Sequence, residues 1–223
     1  MRQYHKIQGI YKRYIEGEKK GRFIEGDYSL EEFAYLANNN WQWTEKIDGT
    51  NIRIIYDLHP MSLNIVAIKG KTDRAEIPKH LLVKLKELFT QKKLQDVFGI
   101  DEEAPPVCLY GEGYGYKIQS GGKYFPENPK EVGFILFDIK IGNTWLKRED
   151  VDDIARKLNI LSVPVVGHGT IQDAIEKVRN GLIGSKFGDF LAEGIVIRPV
   201  PELLDRRGHR IITKIKYKDF KED

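Results

Sequence analysis

Alternation of apolar and polar residues is the clearest signal along this chain. In Asn51–Tyr56, Ile52, Ile54 and Tyr56 fall on one face of a strand and Asn51 and Arg53 on the other. Ile211–Lys218 alternates almost strictly, with Ile211, Thr213, Ile215 and Tyr217 on one side and Ile212, Lys214, Lys216 and Lys218 on the other. Val107–Tyr110, Gly133–Ile141 and Gly194–Ile197 are short β-rich runs of the kind that strands bury. Helical spacing appears between them. Leu81, Leu82, Leu85, Leu88 and Phe89 form a stripe, and Pro78 just upstream suits the first turn of that helix. Val151, Ile154, Ala155 and Leu158 repeat the helical spacing, as do Ile171, Ala174, Ile175 and Val178. Asn38–Asn40, Ala104–Pro106 and Gln119–Gly122 read as loops. Strands in runs, interrupted by a few helices, predict an α+β fold with largely antiparallel sheets.

Composition narrows the class. At 223 residues, 41% hydrophobic and 31% charged, the chain is globular rather than disordered. No apolar run approaches the ~20 residues of a membrane helix. The polar stretch Met1–Lys6 is unlike a secretory signal. One cysteine, Cys108, excludes a disulfide framework and a multi-cysteine zinc site, and fits the cytoplasm. The net charge of +3 hides two basic segments. Val66–Gln95 carries eight Lys/Arg against three Asp/Glu, and Asp205–Lys218 six against one. Such segments suit a polyanion, with aromatics available to stack on bases.

Two phosphate-binding patterns fail. Gly70-Lys71-Thr72 has Ile65 where a P-loop needs its first glycine, and Gly111-Glu112-Gly113-Tyr114-Gly115 has Tyr116 where a dinucleotide fingerprint needs its third. The chain does contain Lys46-Ile47-Asp48-Gly49. Alone this K-x-D-G is weak, arising by chance in about one chain in twenty of this length. Four further segments follow in order: Leu109-Tyr110-Gly111-Glu112-Gly113, Phe134-Ile135-Leu136-Phe137-Asp138-Ile139, Glu193-Gly194-Ile195-Val196-Ile197-Arg198-Pro199 and Lys214-Ile215-Lys216. Together they resemble nucleotidyltransferase motifs I, III, IIIa, IV and V of ATP-dependent polynucleotide ligases and mRNA capping enzymes. The run Lys46–Asn51 is most similar to RNA ligase 2-type phage and bacterial RNA ligases.

The resemblance implies the nucleotidyltransferase fold, with the nucleotide in a cleft, and a defined chemistry. Lys46 would attack the α-phosphate of ATP, forming covalent lysyl-AMP and releasing pyrophosphate. That amine must be neutral, and at a reference pKa of ~10.4 only about one lysine in 2,500 is so at pH 7. Lys214 and Lys216, on one strand face, would lower its pKa, bind the α-phosphate and stabilise developing charge. Glu193 is the expected ligand for Mg²⁺ or Mn²⁺. Glu112 would accept hydrogen bonds from the ribose, Phe137 would stack on adenine with Phe134 as the alternative, and Glu45 would lie near the adenine edge. Asp48 and Gly49 would shape the turn after the nucleophile, and Arg53 would contact the nucleotide or the incoming 5′-phosphate. The motif Ia role, a contact to the 3′-OH strand, falls to Lys71 or Arg74. Arg198 has the opposite strand parity to Glu193.

The accessory OB-fold or helical domain of such ligases has no counterpart in residues 1–223, so a single stand-alone adenylation domain, monomeric and cytoplasmic (in the host cytoplasm if phage-encoded), is expected. The expected activity is ATP-dependent joining of 5′-phosphate and 3′-OH ends of RNA. A minimal DNA ligase, a GTP-using capping guanylyltransferase and a non-catalytic nucleic-acid-binding relic are the competing readings.

Overall fold

Segments with a period of two become strands of separate sheets. The structure, a computed structural model, describes residues 3–221; Met1 and Arg2 of the polar N-terminus, with Glu222 and Asp223, lie outside it. In chain order the elements are β1 (Gln8–Gly9), β2 (Tyr11–Arg13), β3 (Phe23–Tyr28), α1 (Glu31–Tyr35), β4 (Trp41–Glu45), β5 (Thr50–Tyr56), β6 (Val66–Lys69), α2 (Lys79–Leu88), α3 (Gln91–Phe98), β7 (Val107–Gly115), β8 (Val132–Ile141), β9 (Thr144–Trp145), α4 (Arg148–Leu158), β10 (Leu161–Ser162), β11 (Val165–Gly169), α5 (Ile171–Arg179), β12 (Gly194–Pro199) and β13 (Thr213–Lys216). They divide into two compact units. One gathers the chain up to His5 with Asp48–Val163, the other Lys6–Ile47 with Pro164–Asp223.

The first unit holds a sheet in the order β10-β8-β7-β5-β6, with β9 on β8. Only the β10–β8 pairing is parallel. Ile52, Ile54 and Tyr56 enter its core together with Leu81 and Leu85 of α2, Leu94 of α3 and Val151, Ala155 and Leu158 of α4. The helix stripes therefore cover the sheet face that the alternation selects. Pro78 stands one residue before α2 rather than within it. Burial pushes the Cys108 thiol up to about 11.

The second unit is built on the order β1-β13-β12-β4-β11, antiparallel except for β1–β13, beside a β2–β3 ribbon. Ile171, Ala174, Ile175 and Val178 of α5 are buried in a core shared with Trp41, Trp43, Ile195, Ile197 and Ile215. A reciprocal Thr170–Asp173 capping box begins α5.

The α+β, mainly antiparallel arrangement is thus the one the sequence predicts, with local departures. The strand expected over Ile211–Lys218 contracts to Thr213–Lys216, because Tyr217 opens a 3₁₀ turn, and Ile212 is buried despite its polar-face parity. β7 runs on through the glycine-rich Gly111–Gly115. No helix among the described residues is long and apolar enough to cross a membrane.

Candidate active site

Within the second unit, three adjacent strands bring the motif I lysine and the motif IV and V residues together. β12 pairs with β4 on one side and β13 on the other, setting Ile195 opposite Glu45, Gly194 opposite Lys216 and Val196 opposite Lys214. The Lys46 backbone N–H donates to the Gly194 carbonyl at 3.0 Å, and the Tyr217 N–H to the Glu193 carbonyl at 3.0 Å. Gly194 is required there. Its φ is +157°, and a Cβ would meet the Ile215 carbonyl oxygen at 2.1 Å.

This register places two ammonium groups on one carboxylate. Lys46 Nζ is 2.5 Å from Glu193 Oε2, and Lys216 Nζ is 2.6 Å from Glu193 Oε1. Burial alone would raise the Glu193 carboxyl, but Lys46 and Lys216 overcome it and hold the group below its ordinary range. Lys214 is two residues from Lys216, on the same strand face. Burial, then the charges of Lys216 and Lys46, hold its amine below the usual lysine value. The three lysines therefore form a concentrated positive field around a single negative charge, an arrangement suited to a polyphosphate.

Glu45 differs from an open nucleotide contact. It is 1% exposed. Its Oε1 accepts from Ser185 Oγ at 2.6 Å and its Oε2 from the Lys186 N–H at 2.9 Å. It thereby fixes the loop that leads into Glu193. The Ser185 partner, 140 residues away, carries no local signal beyond an ordinary turn. Arg198 is buried too, with Nη1 3.8 Å from Glu202.

The first unit holds the remaining predicted residues. The Asp48 N–H donates to the Tyr124 hydroxyl at 2.9 Å, and Asp48 Oδ2 accepts from the Ser120 N–H at 3.3 Å, so this aspartate ties the motif I turn to the Ser120–Tyr124 loop. A Cβ on Gly49 would meet the Gly113 carbonyl oxygen at 2.3 Å and Glu112 Cγ at 2.9 Å, so only glycine allows the turn this close to the motif III strand. Glu112 is half-buried on β7, opposite Asn51.

Arg53 is not at an open surface but fully buried. Nε donates to the Gly70 carbonyl at 2.9 Å and Nη2 to Asp73 Oδ1 at 2.6 Å, while Nη1 is buried without a protein acceptor. Arg53 thus holds the Gly70–Arg74 turn on which Lys71 and Arg74 are exposed. Phe137 is half-buried, with the Tyr4 ring edge-on at 5.0 Å. Phe134, the alternative stacking residue, is a core side chain packed edge-on against Phe89 at 5.0 Å. Its strand parity turns it to the helix-covered face, which removes it as a nucleotide contact.

Among the described residues no group of three or more His, Cys, Asp or Glu is gathered to hold a metal ion. A lone Glu193 carboxylate nevertheless fits Mg²⁺ or Mn²⁺, because Mg²⁺ in nucleotide sites keeps several waters and needs only one or two carboxylates beside substrate phosphates.

The RNA ligase family profile matches residues 39–217. The chain belongs to the RNA ligase family. No curated protein matches it. Solved structures of Naegleria gruberi RNA ligase share its fold. A lysine-to-alanine variant with ATP and Mn matches with a TM-score of 0.62 at 14% identity, over 97% of this chain and 61% of that one. The form with PPi matches with a TM-score of 0.61 at 16% identity, over 96% and 61%. A lysine-to-methionine variant with AMP and Mn matches with a TM-score of 0.60 at 15% identity, over 84% and 52%. The chain spans between half and three fifths of the length of these proteins.

Proposed function

We propose that this chain is an ATP-dependent RNA ligase joining 5′-phosphate and 3′-OH ends through lysyl-AMP and an adenylylated 5′ end. The observation that carries the reading is the grip of Lys46 and Lys216 on the two oxygens of Glu193, with Lys214 beside them, in a chain of the RNA ligase family. The ATP, AMP, PPi and Mn named with the Naegleria structures are the ligands the reading brings to this chain.

Lys46 Nζ, once neutral, attacks the α-phosphorus; a P–N bond forms, and the bond to the pyrophosphate oxygen breaks. Lys214 and Lys216 neutralise charge on the phosphate oxygens as it develops. The adenylate then passes to the 5′-phosphate of the nucleic acid, and the 3′-OH displaces AMP to close the phosphodiester. Glu193 would hold Mg²⁺ or Mn²⁺, which when bound neutralises phosphate charge. Glu112 and Phe137 fit the ribose and adenine roles, and Lys71 and Arg74 the nucleic-acid contact. The basic segments favour a polyanionic partner, and one buried thiol suits the cytoplasm. The enzyme is read as a monomer, which size-exclusion chromatography tests.

The deciding experiment is incubation with ATP or GTP and Mg²⁺ or Mn²⁺, followed by peptide mass spectrometry. A mass gain of one AMP on Lys46 supports the proposal. A gain of one GMP overturns it in favour of a capping enzyme, and no gain in favour of a binding protein.

A further inference from the structure

The connection between β12 and β13, residues 200–212, projects a hairpin whose charges are sorted. Leu204 bridges Arg210, and the Ile211 N–H donates to the Leu203 carbonyl at 2.9 Å. At the tip the Asp205 N–H donates to the His209 carbonyl at 2.7 Å. Asp205 Oδ1 accepts from the backbone N–H groups of Arg207 and His209, both at 2.8 Å, and Oδ2 is 3.1 Å from His209 Nδ1. Gly208, with φ +79°, completes the turn. The acidic side chains are consumed inside the hairpin. Asp205 closes the tip, and Glu202 lies between Arg198 and Arg210 at 3.8 and 3.9 Å. Arg206 and Arg207 are exposed, and no carboxylate pairs with either among the described residues.

From these observations we infer that the tip of this hairpin is a phosphate-binding finger, in which Arg206 and Arg207 contact the backbone of the RNA away from the junction. The inference rests on the ligase reading. Asp205 fixes the backbone of the turn that carries the two guanidinium groups, so only their side chains are left to order on binding, and guanidinium suits phosphate oxygens. The strand geometry sets the reach. Glu193 and Lys216 lie at one end of the paired strands β12 and β13, and the hairpin extends from the other end. Six strand residues at ~3.3 Å each put the base of the hairpin, from which the tip projects, roughly 20 Å from Glu193. At no more than ~3.4 Å per nucleotide along a duplex, a contact at the tip falls at least about six nucleotides from the junction.

The test compares the full chain with the double variant Arg206→Gln/Arg207→Gln on two nicked RNA duplexes. One has about twenty base pairs on each side of the nick; the other is a nicked dumbbell with about four on each side, closed by short loops that keep it paired. The variant is expected to melt within about 2 °C of the parent, since both positions are exposed. On the long duplex it should bind about tenfold more weakly at low salt, and the slope of log affinity against log salt should fall by about 1.4–1.8, the value for two lost phosphate contacts. On the short duplex, parent and variant should bind alike. Arg206→Lys/Arg207→Lys should restore most of the slope. An unchanged slope on the long duplex, or an equal loss on both duplexes, overturns the inference. ATP-dependent labelling of the parent is scored separately. If it fails while the slope still changes, the ligase reading falls and the finger stands.

Discussion

Lys46 Nζ lies 2.5 Å from Glu193 Oε2, so the group read as the nucleophile is held by the group read as the metal ligand. The pair explains why Lys46 is positioned without substrate: one carboxylate, itself steadied by Lys216, fixes the amine at the end of β4. Replacing Lys46 by Ala should abolish covalent adenylate and ATP-dependent sealing. Sealing of a strand that already carries a 5′-adenylate should persist, because that step does not use the amine as nucleophile. Radiolabelled ATP and a pre-adenylylated strand, run in parallel, separate the two steps.

Lys214 and Lys216 should matter for chemistry and little for folding. Thr213 and Ile215 are the buried members of β13, whereas both lysines are only half-buried. Alanine at either position should leave the melting temperature within a few degrees and slow adenylylation by at least ~10²-fold, the usual effect of removing a preorganised electrostatic group. Single-turnover rates of lysyl-AMP formation measure this. Near-normal rates in both variants would return the strand to an ordinary solvated face.

Glu45 should behave in the opposite way. Its removal leaves the Ser185 hydroxyl and the Lys186 N–H without their acceptor, a loss of about 2 kcal/mol for groups this buried. Glu45→Ala is therefore expected to melt about 4–8 °C below the parent. Calorimetry reads this directly.

The acid limb of stability should report Glu193. Its folded-state pKa lies below the ordinary value of 4.5, so its contribution is present above that value and is lost as pH falls through the depressed folded value. Glu193→Gln lacks this contribution and leaves two lysines without their anion. Its stability deficit relative to the parent should be largest near neutral pH and should shrink as pH falls below about 4.5 toward the depressed folded value. Melting curves of both proteins across that range give the answer; a deficit independent of pH would remove Glu193 as the charge that the lysines stabilise.

Substrate choice should follow the 3′-OH strand. An RNA strand there gives the junction A-form character and 2′-hydroxyls that a protein can read. Nicked duplexes with RNA or DNA on each side of the break should be sealed when the 3′-OH strand ends in ribonucleotides. Equal or better sealing of an all-DNA nick would favour a minimal DNA ligase.

Much of this arrangement is legible in the sequence, for identifiable reasons. Lys214 and Lys216 declare their common face because a period of two survives in Thr213–Lys216. The stripes of α2, α4 and α5 are legible because each covers one side of a sheet. β4 gives no alternation, since Trp41, Trp43, Thr44 and Glu45 are all buried. α3 is only eight residues long, too short for a stripe to stand out. The burial of Glu45 and Arg53 is illegible for a different reason. Each is decided by a partner that local periodicity does not encode: Ser185 at 140 residues' distance, and the Gly70–Arg74 turn that folds over Arg53.

The inertness of Cys108 has a practical consequence. A thiol fully enclosed by the first unit and raised to about 11 stays protonated at neutral pH and out of reach of maleimides. A cysteine introduced at an exposed position would then be the one reactive handle on an otherwise native chain. A fluorophore or photo-crosslinker could be attached there without first removing the natural residue.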